Sequence, residues 1–148
     1  MTSPYKPLAG YVAARWDDRD DALLIKKLLE EHGIRVTSTW LTPHDNQSMD
    51  ALKARGPYEV VKEARERAIK DFEDIDESDF IFVYSPRKGF RNATGGKHVE
   101  LGYAMAKGKV VFLMGERENI FHYHPTVRVV DSVESFLRAV EVPLKDTK

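Results

Sequence analysis

Short apolar segments alternate with longer amphipathic ones along almost the whole of this 148-residue chain. The apolar segments are rich in β-branched and aromatic residues, as buried strands are, and five of them are predicted strands: 7–14, 34–41, 79–85, 109–115 and part of 126–132. The amphipathic segments have helical spacing and predict helices at 20–33, at 58–78, in a segment that ends at Gly108, and at 132–142. This alternation predicts an α/β protein with a parallel sheet, because parallel strands need a crossover between them.

Five parallel strands with helices on both faces predict the flavodoxin-like doubly wound fold, with strand order 2-1-3-4-5. In such sheets ligands bind beyond the carboxyl ends of the strands, beside the switch point between strands one and three. The connections that reach this edge are 14–18, 41–57, 85–100 and 115–125. The polar stretch 42–57 is long for a compact domain, which is typical of a lid or a binding loop.

The composition bounds the class of protein. The whole chain, 1–148, is expected to form one domain. It has no cysteine, which excludes disulfides, thiolate metal sites and a cysteine nucleophile. The net charge is −1 with no basic stripe, so duplex nucleic acid is not an expected partner. We expect no membrane partner and a cytoplasmic protein, because no apolar run is long enough to span a bilayer and the N-terminus lacks the apolar core of a signal peptide.

A carboxylate lies in the third of these connections, in the stretch "GGKHVELGYAMAKGK" at 95–109. Leu101, Ala104 and Met105 follow Glu100 at helical spacing, so Glu100 is predicted to lie in the first turn of a helix. There the helix dipole would stabilise an ionised carboxylate, which a nucleophile requires, although many such glutamates have only that structural role. The preceding Gly95 and Gly96 allow a ligand to approach the backbone closely.

Other charged residues near this edge have ambiguous roles. In "DFEDIDESD" the pattern does not separate a functional from a structural role for Asp71 and Asp74, and no metal-binding spacing is present. His98 could cap the helix or touch a ligand. His122 and His124 are interpreted as a loop wall or a subunit contact rather than a metal site. A basic loop before Glu100 could bind phosphate or simply be solvated, and consists of Arg87, Lys88, Arg91 and Lys97.

Two elements of the chain, in a fixed order, resemble a known family. A "D..D....D" element at 71–79 leads into the third predicted strand, and "G..VELGYA.A.GK.V" follows it. With "AGYVAARW" at 9–16, they resemble the nucleoside 2-deoxyribosyltransferases and their relatives, the nucleotide N-glycosidases, over nearly the whole chain. The resemblance implies that Glu100 is a nucleophile forming a glycosyl ester, that Asp71 is a second carboxylate near the leaving base, and that the Tyr11 hydroxyl orients the nucleophile. It implies no metal and no organic cofactor.

The expected substrate is a nucleoside or a nucleotide, and the candidate binding residues are Trp16, Arg91, Thr94, Gly95, Gly96 and His98. Thr94 stands six residues before Glu100, where the transferases carry an aspartate and the monophosphate-cleaving relatives carry a small hydroxyl residue. Thr94 and the basic loop therefore favour a nucleoside 5′-monophosphate. Asp17 and Asp18, after the first strand, would oppose a phosphate.

The sequence leaves several alternatives open. The chain could transfer the sugar to a second base or release it to water, and a non-catalytic nucleotide-binding domain could use the same pocket. The resemblance also implies a homodimer or a larger homo-oligomer, with "NIFHYHP" at 119–125 as a candidate subunit contact.

Overall fold

The computed structural model of the protein describes residues 8–42, 49–86 and 95–146. Its strands are β1 Ala9–Ala13, β2 Arg35–Val36, β3 Phe80–Ser85, β4 Val110–Gly115 and β5 Val127–Val130. Its helices are α1 Arg19–Glu31, α2 Met49–Ala54, α3 Pro57–Asp76, α4 Gly96–Ala106 and α5 Val133–Asp146. Three short 3-10 turns follow β1, β2 and β4, at Trp16–Asp18, Thr39–Leu41 and Ile120–Tyr123.

The five strands form one parallel sheet in the order β2-β1-β3-β4-β5. Helices α1 and α5 cover one face, with Phe82 and Phe136 in the core between them. Helices α3 and α4 cover the other face, where Ile75 and Leu101 pack against the strands. The predicted flavodoxin-like doubly wound fold is therefore confirmed, and its switch point lies between the carboxyl ends of β1 and β3.

The second strand is much shorter than the predicted strand 34–41, because from Ser38 onward side-chain hydroxyls replace the backbone groups that would pair with β1. The Ser38 hydroxyl accepts a hydrogen bond from the backbone N of Val12 at 2.6 Å, and the chain then turns at Thr39–Leu41. The predicted long connection also contains a short helix, α2. Hydroxyl side chains that bond to backbone compete with strand pairing, which propensity alone does not reveal.

Local sequence signals predict the ends of the helices better than they predict which side of a helix is buried. Gly33 closes α1 with a φ of 82°, as predicted, and the Ser132 hydroxyl caps α5 by accepting from the backbone N of Ser135 at 3.1 Å. However, the buried side of α1 is formed by Ala22, Ile25 and Leu29. The side that the sequence spacing marks, with Leu23, Leu24, Lys27 and Leu28, is not the buried one, since 61% of Leu24 is exposed. Within the described ranges, no helix is both long enough and apolar enough to cross a bilayer.

Candidate active site

Three of the predicted catalytic residues meet beneath the switch point, although they come from three different elements. Tyr11 on β1 is fully buried on the face that packs against α3 and α4. Its Oη donates a hydrogen bond of 2.5 Å to Oε2 of Glu100 on α4. The carboxyl group of Asp71 on α3 lies close enough to that of Glu100 for each to shift the pKa of the other. We call Tyr11, Asp71 and Glu100 the carboxylate cluster.

Burial determines the protonation of this cluster. Burial, and then the charge of Asp71, raises the pKa of Glu100 well above its ordinary value. Burial also raises the pKa of Asp71 to about 6, although its interaction with Glu100 lowers it. The pKa of Tyr11 is raised by burial as well, so the hydroxyl keeps its proton and acts as a donor. Because the charge of one carboxyl group disfavours ionisation of the other, the two protons leave in two steps that belong to the pair.

Glu100 lies deeper in its helix than predicted. The helix begins at Gly96, so Glu100 is its fifth residue, and the first turn contains no acidic side chain. The prediction that Glu100 lies in the first turn is therefore wrong, and the helix dipole stabilises its ionised form less than expected, because the dipole effect fades beyond the first turn. Burial acts in the opposite direction and favours the protonated form.

Gly95 and Gly96 mark the start of this helix. Gly95 is the N-cap and has a left-handed backbone with a φ of 85°, a conformation that favours glycine. A Cβ atom on Gly95 or on Gly96 would meet no atom of the described residues within 4 Å. The expectation that a ligand approaches this backbone closely stays a prediction.

The structure separates the two aspartates that the sequence pattern left unresolved. Asp74 is 1% exposed, and its Oδ2 accepts hydrogen bonds from the backbone N of Thr39 at 3.0 Å and from the Thr39 hydroxyl at 2.6 Å. Lys70 lies 3.2 Å from the other carboxylate oxygen. Asp74 thus ties the turn after β2 to α3 and has a structural role, whereas Asp71, three residues earlier, reaches Glu100.

A second polar group, partly buried, lies at the same edge and contains residues that the sequence reasoning missed. Glu118 follows β4 and accepts from Arg15 Nη2 at 2.6 Å, from Lys97 Nζ and from the Ser85 hydroxyl. Burial raises the pKa of Glu118, but the hydrogen bonds from Lys97 and Ser85 are stronger and lower it to about 2. Lys97 is only 4% exposed, so it is not a solvated residue of the basic loop. Charged residues on the four connections at the carboxyl edge were the available signal for Glu118.

The histidines and Trp16 flank this second group. His98 accepts at Nδ1 from the side-chain amide of Asn119 at 3.2 Å, and burial lowers its pKa. His122 is 1% exposed and accepts at Nδ1 from the backbone N of Glu118 at 2.8 Å, so it is a wall of the loop. Trp16, after β1, is 37% exposed, and the Arg19 guanidinium lies 5.2 Å from its ring centroid.

Two predicted binding residues, Arg91 and Thr94, lie outside the described residues, and so do Arg87 and Lys88. Among the residues that the structure does describe, no group of three or more histidine or carboxylate side chains could hold a metal ion. The described part of the site therefore consists of the carboxylate cluster and the Glu118 group.

Fold and site together define a doubly wound α/β protein with a buried pair of carboxyl groups at its switch point. Among solved structures, the chain is similar to that of Clostridium botulinum CMP N-glycosidase, BcmB. The two share 18% sequence identity over 90% of this chain and 98% of that chain, with a TM-score of 0.49. No protein-family model matches the chain, and no curated protein sequence does either. A similarity this distant carries no argument about function, which has to come from the site.

Proposed function

We propose that the protein cleaves the N-glycosidic bond of a nucleoside or nucleoside 5′-monophosphate through a covalent intermediate on Glu100. The observation that carries this proposal is the carboxylate cluster: a fully buried tyrosine hydroxyl lies 2.5 Å from one carboxyl group, and a second carboxyl group lies near enough to raise the pKa of the first. A pair of carboxyl groups, one ionised and one protonated, is what a retaining glycosyl transfer requires. The resemblance noted in the sequence supports the same roles.

In the first step an Oε atom of Glu100 attacks C1′ of the sugar. The bond from C1′ to the base nitrogen breaks, its electron pair goes to the base, and Asp71 donates the proton that neutralises the leaving base. The Tyr11 hydroxyl favours the ionised form of Glu100, because a donor stabilises a carboxylate. We therefore assign the reactive form of the pair as the one in which Glu100 is ionised and Asp71 holds the proton.

In the second step an acceptor attacks C1′ from the face that the base has left, and the ester bond to Glu100 breaks. Ionised Asp71 then takes the proton of the acceptor. If the acceptor is water, the free sugar or sugar phosphate is released and the protein is a hydrolase. If the acceptor is another base, the protein is a transferase with the same residues in the same roles.

The test is direct. The protein is incubated with a panel of nucleosides, 2′-deoxynucleosides and their monophosphates, and free base is measured by chromatography. A second free base added to the same mixture separates transfer, which makes a new nucleoside, from hydrolysis, which does not. Binding of a panel member without release of any base would refute the proposal in favour of a non-catalytic binding domain.

The pH dependence of turnover follows from the raised pKa values of the two carboxyl groups. The reactive pair holds one proton, so kcat/KM is expected to rise as pH increases through about 6, where the first carboxyl group ionises. It is expected to fall again at higher pH, where the pair loses its remaining proton. A bell-shaped profile of kcat/KM checks this. An acid limb near the ordinary glutamate pKa of about 4.3 would contradict a buried pair.

The choice of donor can be tested at Thr94. If its hydroxyl helps to hold a 5′-phosphate, Thr94→Ala should lower kcat/KM about tenfold on the monophosphate and little on the nucleoside, and added salt should reduce the preference for the monophosphate. Thr126→Ala, at an exposed threonine before β5, is the matched control. Equal efficiencies of the wild type on nucleoside and monophosphate at low and high salt would exclude a phosphate subsite.

A further inference from the structure

The Glu118 group connects four parts of the chain at the carboxyl edge of the sheet. Arg15 follows β1, Ser85 is the last residue of β3, Lys97 is the second residue of α4, and Glu118 follows β4. The Glu118 carboxylate accepts hydrogen bonds from all three of the other side chains. Its backbone N donates to Nδ1 of His122 at 2.8 Å, which fixes the segment that carries it. One carboxylate therefore joins the ends of three neighbouring strands to the start of one helix.

The path of the chain after β4 brings Glu118 to this place. Gly115, the last residue of β4, has a φ of 120°, a conformation that favours glycine. A Cβ atom on Gly115 would lie 1.9 Å from the carbonyl oxygen of Ser85, so a glycine is needed for the chain to pass this close to the end of β3. The backbone N of Glu116 then donates to that same oxygen at 2.7 Å. The close approach of the two strand ends thus places Glu118 beside the Ser85 hydroxyl.

Burial makes these contacts costly to break. Lys97 and Ser85 are buried, and the side chains of Arg15 and Glu118 are mostly buried. A buried ammonium that lost its carboxylate would remain as an uncompensated charge. Although burial raises the pKa of Glu118, the hydrogen bonds from Lys97 and Ser85 lower it to about 2. Glu118 is therefore ionised near neutral pH and binds Arg15 and Lys97 at the same time.

The Glu118 group joins the two elements that form the hydrogen bond between Tyr11 and Glu100. Tyr11 lies on β1, four residues before Arg15, and Glu100 lies on α4, three residues after Lys97. Residues three apart on a helix lie beside each other, so a displacement of Lys97 would carry Glu100 with it. The spacing between β1 and α4 is thus fixed twice, once by the hydrogen bond inside the carboxylate cluster and once by Glu118.

The other charged side chains that act on Glu100 come from a different helix. Burial is the main cause of the raised pKa of Glu100, and the charges of Asp71 and Asp74, on α3, add to it. Among the described residues, the side chains that donate to Glu118 include none from α3. Tyr11, in contrast, lies on a strand that Glu118 binds, and its hydroxyl stabilises the ionised form of Glu100. A displacement of α4 from β1 would therefore act on Glu100 through Tyr11.

We propose that Glu118 is a positioning residue: by binding Arg15 and Lys97 to one carboxylate, it holds α4 against β1 at the spacing that the hydrogen bond from Tyr11 to Glu100 requires. For catalysis this role rests on the proposed function, in which Glu100 is the nucleophile, whereas the effect on Glu100 itself is independent of turnover. Without Glu118 the hydrogen bond from Tyr11 weakens, the ionised form of Glu100 loses its donor, and its pKa rises.

The first measurement needs no substrate. Carbon-13 NMR follows the side-chain carboxyl carbons of the labelled full chain as a function of pH, and Glu100→Gln identifies the Glu100 signal by its absence. In Glu118→Gln the titration midpoint of Glu100 should move to higher pH, in the same direction as in Tyr11→Phe, which removes the donor outright. In the double variant Glu118→Gln should add little to the shift, because the hydrogen bond through which it acts is already gone.

The second measurement is turnover of the best substrate of the panel. Glu118→Gln is expected to lower kcat by about 10- to 100-fold and to change KM by less than about threefold, because it misplaces the nucleophile without contacting the substrate. In the Tyr11→Phe background the same substitution should lower kcat by less than about threefold. A role in stability alone would move neither the titration of Glu100 nor kcat.

Two further variants separate positioning from stability. Lys97→Met combined with Glu118→Gln removes the buried ammonium together with its partner, so it should stay folded even where the single variant does not, and should show the same shift and the same loss of kcat. Asp21→Asn is the matched control. It removes a carboxylate that accepts from the Tyr84 hydroxyl at 2.9 Å and ties α1 to β3 on the other face of the sheet. It should leave the titration of Glu100 and kcat unchanged.

The outcomes of the two measurements are distinguishable. A titration of Glu100 that is the same in folded Glu118→Gln as in the wild type would overturn the proposal, whether or not any substrate is cleaved. So would a raised KM at constant kcat, which would make Glu118 a substrate-binding residue, and so would a loss of kcat that is fully additive with that of Tyr11→Phe. If the titration shifts as expected but no panel member is cleaved, the proposed function fails and the positioning role of Glu118 stands.

Discussion

Glu100→Gln is expected to fold as the wild type does and to lose turnover by about 1,000-fold or more. The glutamine fills the same volume and can still accept the hydrogen bond from Tyr11, but its neutral amide cannot form the glycosyl ester. Release of free base from the best substrate of the panel measures the effect. Mass spectrometry of the wild type, quenched during turnover, should detect the chain with one sugar attached, and the variant should carry none.

The same substitution is expected to stabilise the protein, which separates loss of chemistry from loss of fold. Burial raises the pKa of both carboxyl groups, so the folded state binds protons more tightly than the unfolded chain does, and their ionisation costs stability as pH rises. At alkaline pH, where the wild-type pair also loses its second proton, Glu100→Gln should increase the free energy of unfolding by about 1–2 kcal/mol, because the variant then buries one charge where the wild type buries two. The gain should shrink below about pH 5, where both groups are protonated in the wild type.

Glu30→Gln, at an exposed position on α1, is the matched control and should change neither activity nor stability. Urea denaturation at pH 5 and at pH 8 gives the stability comparison. Turnover within tenfold of the wild type in Glu100→Gln would remove Glu100 from the mechanism. If stability depended on pH in the same way in the variant and in the wild type, burial would not be raising the pKa of Glu100.

The parts of this molecule that the sequence predicted are those determined by local pattern. The apolar segments around Phe82 and Val111 are continuous and buried on both faces, so they identify central parallel strands without knowledge of their neighbours. Strand order and the position of the ligand edge then follow from the rules for doubly wound sheets. Glu100 could be selected because it lies on a connection at that edge.

What the sequence could not supply depends on contacts between distant residues. The short β2 reflects a hydrogen bond that Ser38 accepts from Val12 on β1 and one that Thr39 donates to Asp74, residues that lie far apart in the chain. Glu118 becomes the centre of a charged group only because β1, β3 and α4 bring Arg15, Ser85 and Lys97 to it. The raised pKa of Glu100 follows from its burial and from the charge of Asp71, which its place in the helix does not reveal.

Asp71→Asn is expected to lower turnover by about 100- to 10,000-fold while the variant still binds substrate. Asparagine cannot donate a carboxylic proton to the leaving base. Its neutral side chain also removes the neighbouring charge that raises the pKa of Glu100, so the acid limb of the pH profile should move to lower pH. The alkaline limb should disappear, because the proton whose loss caused it is no longer there.

Asp74→Asn is the matched control on the same helix. The Asp74 carboxylate accepts two hydrogen bonds from Thr39, so its replacement should cost about 1–3 kcal/mol of stability. The activity of each folded molecule should be unchanged. If Asp71→Asn behaved in this way instead, with lost stability and normal turnover, Asp71 would be structural and the proton would come from elsewhere.

A donor whose base leaves without taking up a proton tests whether Asp71 acts as the acid. In 7-methylguanosine, or its monophosphate, the base already carries a positive charge and departs as a neutral molecule, so no acid is needed for the first step. Asp71→Asn should then lose less than about tenfold on this donor, while Glu100→Gln stays inactive on it. The difference arises because Glu100 forms a bond to the sugar, whichever base leaves, whereas Asp71 acts only on the base. Equal losses on both donors would assign Asp71 to positioning Glu100 rather than to proton transfer.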